Sequence, residues 1–153
     1  MTAPMNTAFL QLGSVQSTLG WLPEGPRFDL ALGHASIGGR DVAGPFTAAG
    51  MEDAIQHVED AIAPWSRQRP HPGGLLAVDA ATLQRLADAG AGPDREGVWY
   101  TDAVEQAYQR LALRATRGGG AAGSDPVQDA TVLILRECLH HGGLAGLVAA
   151  AAA

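Results

Sequence analysis

At 153 residues the chain fits a single domain, long enough to bury an ordinary core without covalent staples. Charged residues make up 17%, the net charge is −6, and all ten basic side chains are arginine. That excludes lysine chemistry such as a Schiff base or a Walker-type phosphate loop, and it argues against nucleic acid, which calls for a basic face. One cysteine cannot close an internal disulfide, and nothing in the N-terminal stretch resembles a secretion signal. No window approaches the ~20 apolar residues of a membrane span. The expectation is a soluble cytoplasmic protein, bacterial by its alanine-, glycine- and arginine-rich usage.

The first third reads as strands. Residues 7–15 (TAFLQLGSV) are apolar and end in turn residues. Residues 27–33 (RFDLALG) alternate, with Phe28, Leu30 and Leu32 on one face, the period-two signal of a half-buried strand. Residues 35–42 follow closely enough to pair back as a hairpin. Residues 50–65 place Met51, Ile55, Val58 and Ile62 within one helical stripe, with Pro64 as the expected stop.

Residues 64–74 (PWSRQRPHPGG) read as a loop, 75–79 as a short strand, and Asp79 as the N-cap of a helix ending near Gly90. A third helix spans 100–117. Residues 118–125 form a glycine-rich flexible connector. A last helix runs over 126–141, with Asp125 as cap, Pro126 at its first position and Gly142-Gly143 as its stop. Residues 144–153 are expected to fray. The fold class is therefore α+β: one domain over 1–153, with an antiparallel or mixed sheet of about four mostly N-terminal strands. About four helices pack on one face of that sheet.

Four stretches invite a chemical reading. In RECLHHGG (136–143), Cys138 falls on the inward side of the last helix and His140 on its polar stripe. A buried thiol at a helix C-terminus is a poor nucleophile, and Cys138 with His141 supplies only two of the three or four ligands zinc needs. Asp53, His57 and Asp60 stand at i, i+4 and i+7, but opposite the apolar stripe, so they should face water. GHASIGGR (33–40) lacks the lysine and the following helix of a phosphate loop. The 64–74 loop carries Trp65, Arg67, Arg69 and His71, residue types that suit an anion or a partner, with His34 as an outlying member.

With no catalytic constellation in view, the first reading is a small non-catalytic binding or assembly protein. It would act through a protein partner or as a homo-oligomer, without cofactor, metal, nucleic acid or membrane. The alternative is a small enzyme or ligand binder with a His/Arg-lined site near the 64–74 loop, built from Trp65, Arg67, Arg69, His71 and His34.

Overall fold

The computed structural model describes residues 5–42, 44–70, 72–117 and 125–151. Strands β1 (Asn6–Leu12), β2 (Ser17–Trp21) and β3 (Arg27–Leu30) form an antiparallel meander. A small hairpin of β4 (Ser36–Ile37) and β5 (Arg40–Asp41) stands apart as its own two-stranded sheet. Helix α1 (Ala48–Ser66) follows, then β6 (Leu75–Val78), α2 (Ala80–Asp88), β7 (Trp99–Tyr100), α3 (Thr101–Thr116), α4 (Pro126–Gly142) and β8 (Gly146–Ala149). The main sheet has the order β3-β2-β1-β6-β8-β7. β1, β6 and β8 run parallel, and β7 closes the far edge antiparallel to β8.

The sheet is mixed, as one of the two expected forms, but it has six strands rather than about four. β2 was hidden because STLGW carries a glycine and two hydroxyl residues, which read as a turn; Ser17, Leu19 and Trp21 alternate inward once β1 pairs with it. The expected hairpin between 27–33 and 35–42 does not form. β3 pairs with β2 instead, and only the isolated bridge Gly33–Ser36 joins the two stretches. The expected frayed tail is also corrected: Gly146–Ala149 is an interior strand, flanked by β6 and β7. Its polyalanine flank gives no periodic signal, and only the parallel edge of β6 gives it a place. The connector expected over 118–125 lies, apart from Asp125, outside the described residues.

One face of the sheet is set by register. Ala8, Leu10 and Leu12 lie opposite Trp21, Leu19 and Ser17 on β2, and Leu10 lies opposite Val78 on β6. These join Leu76 and Leu147 in the core, beneath residues of all four helices. Helix α4 is the centre of that layer. Of the eleven positions from Asp129 to Leu139 only Arg136 is not buried, and α1, α2 and α3 all pack against this helix. A helix apolar nearly all round has to be buried this way. Its start is capped by Asp125, which accepts from the Val127 and Gln128 amides. Its end turns on Gly143 at φ 65°, a left-handed conformation that favours glycine.

Helix α1 begins two residues earlier than the sequence suggests, after the Thr47 cap, and it continues through Pro64 to Ser66. The reason is Trp65. Its ring is fully buried and stacks on Trp21 with centroids 4.5 Å apart and planes 10° from parallel. The Trp21 indole N–H donates to the Trp65 carbonyl (2.9 Å), and the Trp65 indole N–H donates to the Gly20 carbonyl (3.2 Å). This reciprocal pair bolts the end of α1 to β2, against the two prolines that flank it. Trp65→Ala is expected to destabilise the fold by about 3–5 kcal/mol, the usual range for a buried tryptophan. Urea unfolding followed by far-UV circular dichroism measures it; a loss under 1 kcal/mol would contradict this account.

Candidate functional site

The site begins at the turn between β1 and β2. Gly13 leaves β1, and Ser17 returns the chain into β2; the Gly13 N–H donates to the buried Ser17 hydroxyl (3.2 Å), which in turn donates to the Leu32 carbonyl (2.8 Å). The segment after β3 grips the same turn: the His34 N–H donates to the Gly13 carbonyl (3.0 Å) and the Ala35 N–H to the Ser14 carbonyl (2.8 Å). Gly33 permits that approach, because a Cβ there would stand 2.2 Å from the Gly13 oxygen. The glycines of this region thus serve a backbone clamp between two neighbouring turns.

Beside the clamp opens a cleft of about 540 Å³. Gln11, Gln16, Ser17 and Thr18 of the β1–β2 hairpin line it, between Asp29 of β3 on one side and Asp79, after β6, on the other. The place follows from topology. β1 has a parallel neighbour on one edge and an antiparallel one on the other, and connections diverge at its carboxyl end. Ligands of open α/β sheets bind at such switch points. Asp79 arrives from β6 and caps α2, its Oδ1 accepting from the Thr82 amide at 2.7 Å. Asp29 comes from β3 and meets the Thr18 hydroxyl at 3.4 Å. Among the described lining residues no arginine faces this space, so the cleft is acidic and rich in oxygen donors.

Of the five residues expected to form a site at the 64–74 loop, the four among the described residues do not converge. Trp65 is core, as described. Arg67 is exposed just beyond α1. Arg69 reaches the end of α4, donating from Nε to the His141 carbonyl (2.7 Å) and from Nη2 to that of His140 (3.5 Å), where the helix dipole favours a cation. His71 lies outside the described residues. Only His34 is near the cleft. Its burial lowers its pKa, the Arg85 charge lowers it further, and Asp79 opposes them. His34 therefore takes up a proton less readily than a free imidazole. The sequence reasoning missed Gln11, Asp29 and Asp79, because a cleft that gathers three strand ends has no local pattern. The one usable signal was Asp79, already legible as a cap after a strand.

The other sequence candidates fall as expected. Asp53 and Asp60 are exposed, and Asp53 meets Arg40 and His57 only at 3.7 Å. Gly38 and Gly39, both at positive φ, form the turn of the β4–β5 hairpin. Cys138 is fully buried, and burial with the neighbouring Glu137 charge pushes its thiol up to about 12.

Comparison with known proteins was made on both sequence and fold. No family model matches the chain, and no curated protein matches it by sequence. Solved structures do match. An exopolyphosphatase-like protein superimposes with a TM-score of 0.69 at 14% identity, over 96% of this chain and 56% of that one. An Aquifex aeolicus PPX-GPPA enzyme gives 0.65 at 11%, over 96% and 54%. A type II variant of the Aquifex aeolicus Ppx/GppA phosphatase gives 0.60 at 11%, over 95% and 54%. The fold is Ppx/GppA-like. The chain spans about half the length of these structures. The matches overturn the first sequence reading, of a non-catalytic protein-binding or oligomeric assembly factor: the architecture is shared with phosphatase enzymes and has a cleft at its strand ends. That reading rested on the scatter of histidines and acids along the chain, which says nothing of what the sheet gathers.

The Cys138 assignment is checked directly. Iodoacetamide at pH 7 should leave the native protein unlabelled and label it fully in denaturant, since the thiolate is the nucleophile. Because the folded thiol pKa is raised, its contribution to stability is complete below the unfolded value of 9.0 and is lost as pH rises towards about 12. Cys138→Ala should flatten that alkaline decline in thermal scans.

Proposed function

We propose that this chain is a phosphatase-related domain that binds a phosphorylated ligand in the β1–β2 cleft and takes part in cleaving a phosphoanhydride or phosphoester bond. The observation that carries the reading is the coincidence of a glycine turn, a strand-end switch point and two opposed carboxylates in one space. The names of the matched structures, exopolyphosphatase-like protein and Ppx/GppA phosphatase, support it by fold-level likeness.

The acidic lining defines how a phosphate could enter. Two carboxylates and no arginine would repel a bare polyanion. They suit a phosphate that arrives with a hard divalent cation, which is typically held by one or two carboxylates together with substrate oxygens. Asp29 and Asp79 each offer a carboxylate at one side of the cleft, with the Gln11 amide between them. Such a cation supplies charge neutralisation at the phosphoryl oxygens. The chain's own part is to orient the ligand against the β1–β2 turn and to hold a water near the carboxylates. Thr18 adds a hydroxyl to the same wall. A cytoplasmic setting belongs to this reading, since it supplies phosphorylated metabolites and asks for no disulfide.

The test is binding and turnover of polyphosphate by the purified chain, with and without magnesium. Wild-type protein is expected to bind only with the cation and to release inorganic phosphate. Asp79→Asn keeps the helix cap, because asparagine caps as well as aspartate. It should nevertheless weaken magnesium-dependent binding about tenfold or more, as should Asp29→Asn. Binding that ignores magnesium and both substitutions, or none at all, would refute the proposal.

A further inference from the structure

The geometry points to a second site, a zinc-type metal centre built by Glu59 of α1 with Glu137 and His141 of α4. None of the three lines the β1–β2 cleft. Glu137 and His141 stand at i and i+4 on one helix, and α1 packs directly against it. His141 Nε2 lies 3.2 Å from Glu137 Oε2 and 3.3 Å from Glu59 Oε1, and the three ligand atoms all fall within 4.8 Å of one another.

Glu137 makes the case more than an acidic cluster. Its side chain is fully buried, and its Oε2, aimed at the histidine nitrogen, accepts no hydrogen bond. Such an atom is costly to leave unmatched. One imidazole N–H cannot serve two carboxylate oxygens at once; the hydrogen bond goes to Glu59 and leaves Glu137 without one. A cation in place of that proton would satisfy all three. Zinc bonds of about 2.0–2.2 Å in a tetrahedron put ligand atoms about 3.3–3.5 Å apart, close to both observed spacings.

Charge and surroundings agree. Two carboxylates and a neutral imidazole balance a divalent ion. Arg136 Nη1 holds the other oxygen of Glu137 at 3.2 Å, the kind of outer partner that fixes a ligating carboxylate. Glu59 and His141 are each about one-third exposed (36% and 31%), which leaves a fourth position for water. The metal would clamp α1 to α4 at the ends opposite their caps.

Zinc titration by calorimetry on the apo-protein tests the site, with cobalt(II) absorption as a second readout of tetrahedral geometry. The expected result is one equivalent of zinc, an intense tetrahedral cobalt spectrum and a thermal midpoint raised by at least a few degrees. Glu59→Gln and His141→Ala, both at partly exposed positions, should each weaken zinc about tenfold or more with the circular dichroism spectrum unchanged. Cys138→Ala should leave affinity as it is. No binding by wild type would overturn the inference. So would binding lost with Cys138→Ala but retained in His141→Ala. Because the readout is zinc without phosphate, it is independent of the polyphosphate assay.

Discussion

Burial of α4 on nearly every side is the constraint from which most of the molecule follows. A helix with only a narrow solvent stripe must be surrounded, so α1, α2 and α3 gather around it on one face of the sheet. Its polar residues then need partners from those neighbours. Asp129, 1% exposed, meets Arg114 of α3 at 3.0 Å. Arg136 reaches Glu105 of α3 at 3.1 Å and lies over the Tyr108 ring. Glu137 turns towards Glu59 of α1 through His141. Charges that are buried must be paired or ligated, and here the Asp129–Arg114 and Arg136–Glu105 pairs also join two helices. Cys138, on the same helix, has no such partner and stays protonated.

The sheet imposes a second constraint. β1 sits between a parallel and an antiparallel neighbour, so chain connections part at its carboxyl end. The cleft is there for topological reasons before any side chain is considered. The β1–β2 turn and the segment after β3 are clamped together by backbone hydrogen bonds, so that the wall of the cleft is rigid. The Trp21–Trp65 pair then holds the other end of β2 against α1. The cleft and the three-residue cluster therefore occupy different parts of the layer, one governed by the strands and the other by the helices.

The two proposed sites also differ in the ions they would favour. The cleft offers carboxylate and amide oxygens spread across an open space, which suits a hydrated magnesium shared with a ligand. The α1–α4 cluster offers an imidazole and two carboxylates at close range, which suits zinc. The likeness to solved structures at 11–14% identity speaks to the architecture alone.

What the sequence by itself determined is local. Hydrophobic periodicity placed α1 and α4, Asp79 and Asp125 were legible as caps, Gly142-Gly143 as a stop, and the inward side of Cys138 followed from the helical wheel. Each depends only on residues within a few turns. Tertiary structure alone decided the rest. STLGW became a strand because β1 offered it an edge, and the Ala-rich terminus became one because β6 did. Pro64 failed to stop α1 because Trp65 finds its stacking partner 44 residues upstream. Asp29 and Asp79 face one space, and Glu59 meets His141 across 82 positions, for the same reason: separations of that size carry no periodic signal, and only the packing of distant elements brings such residues together.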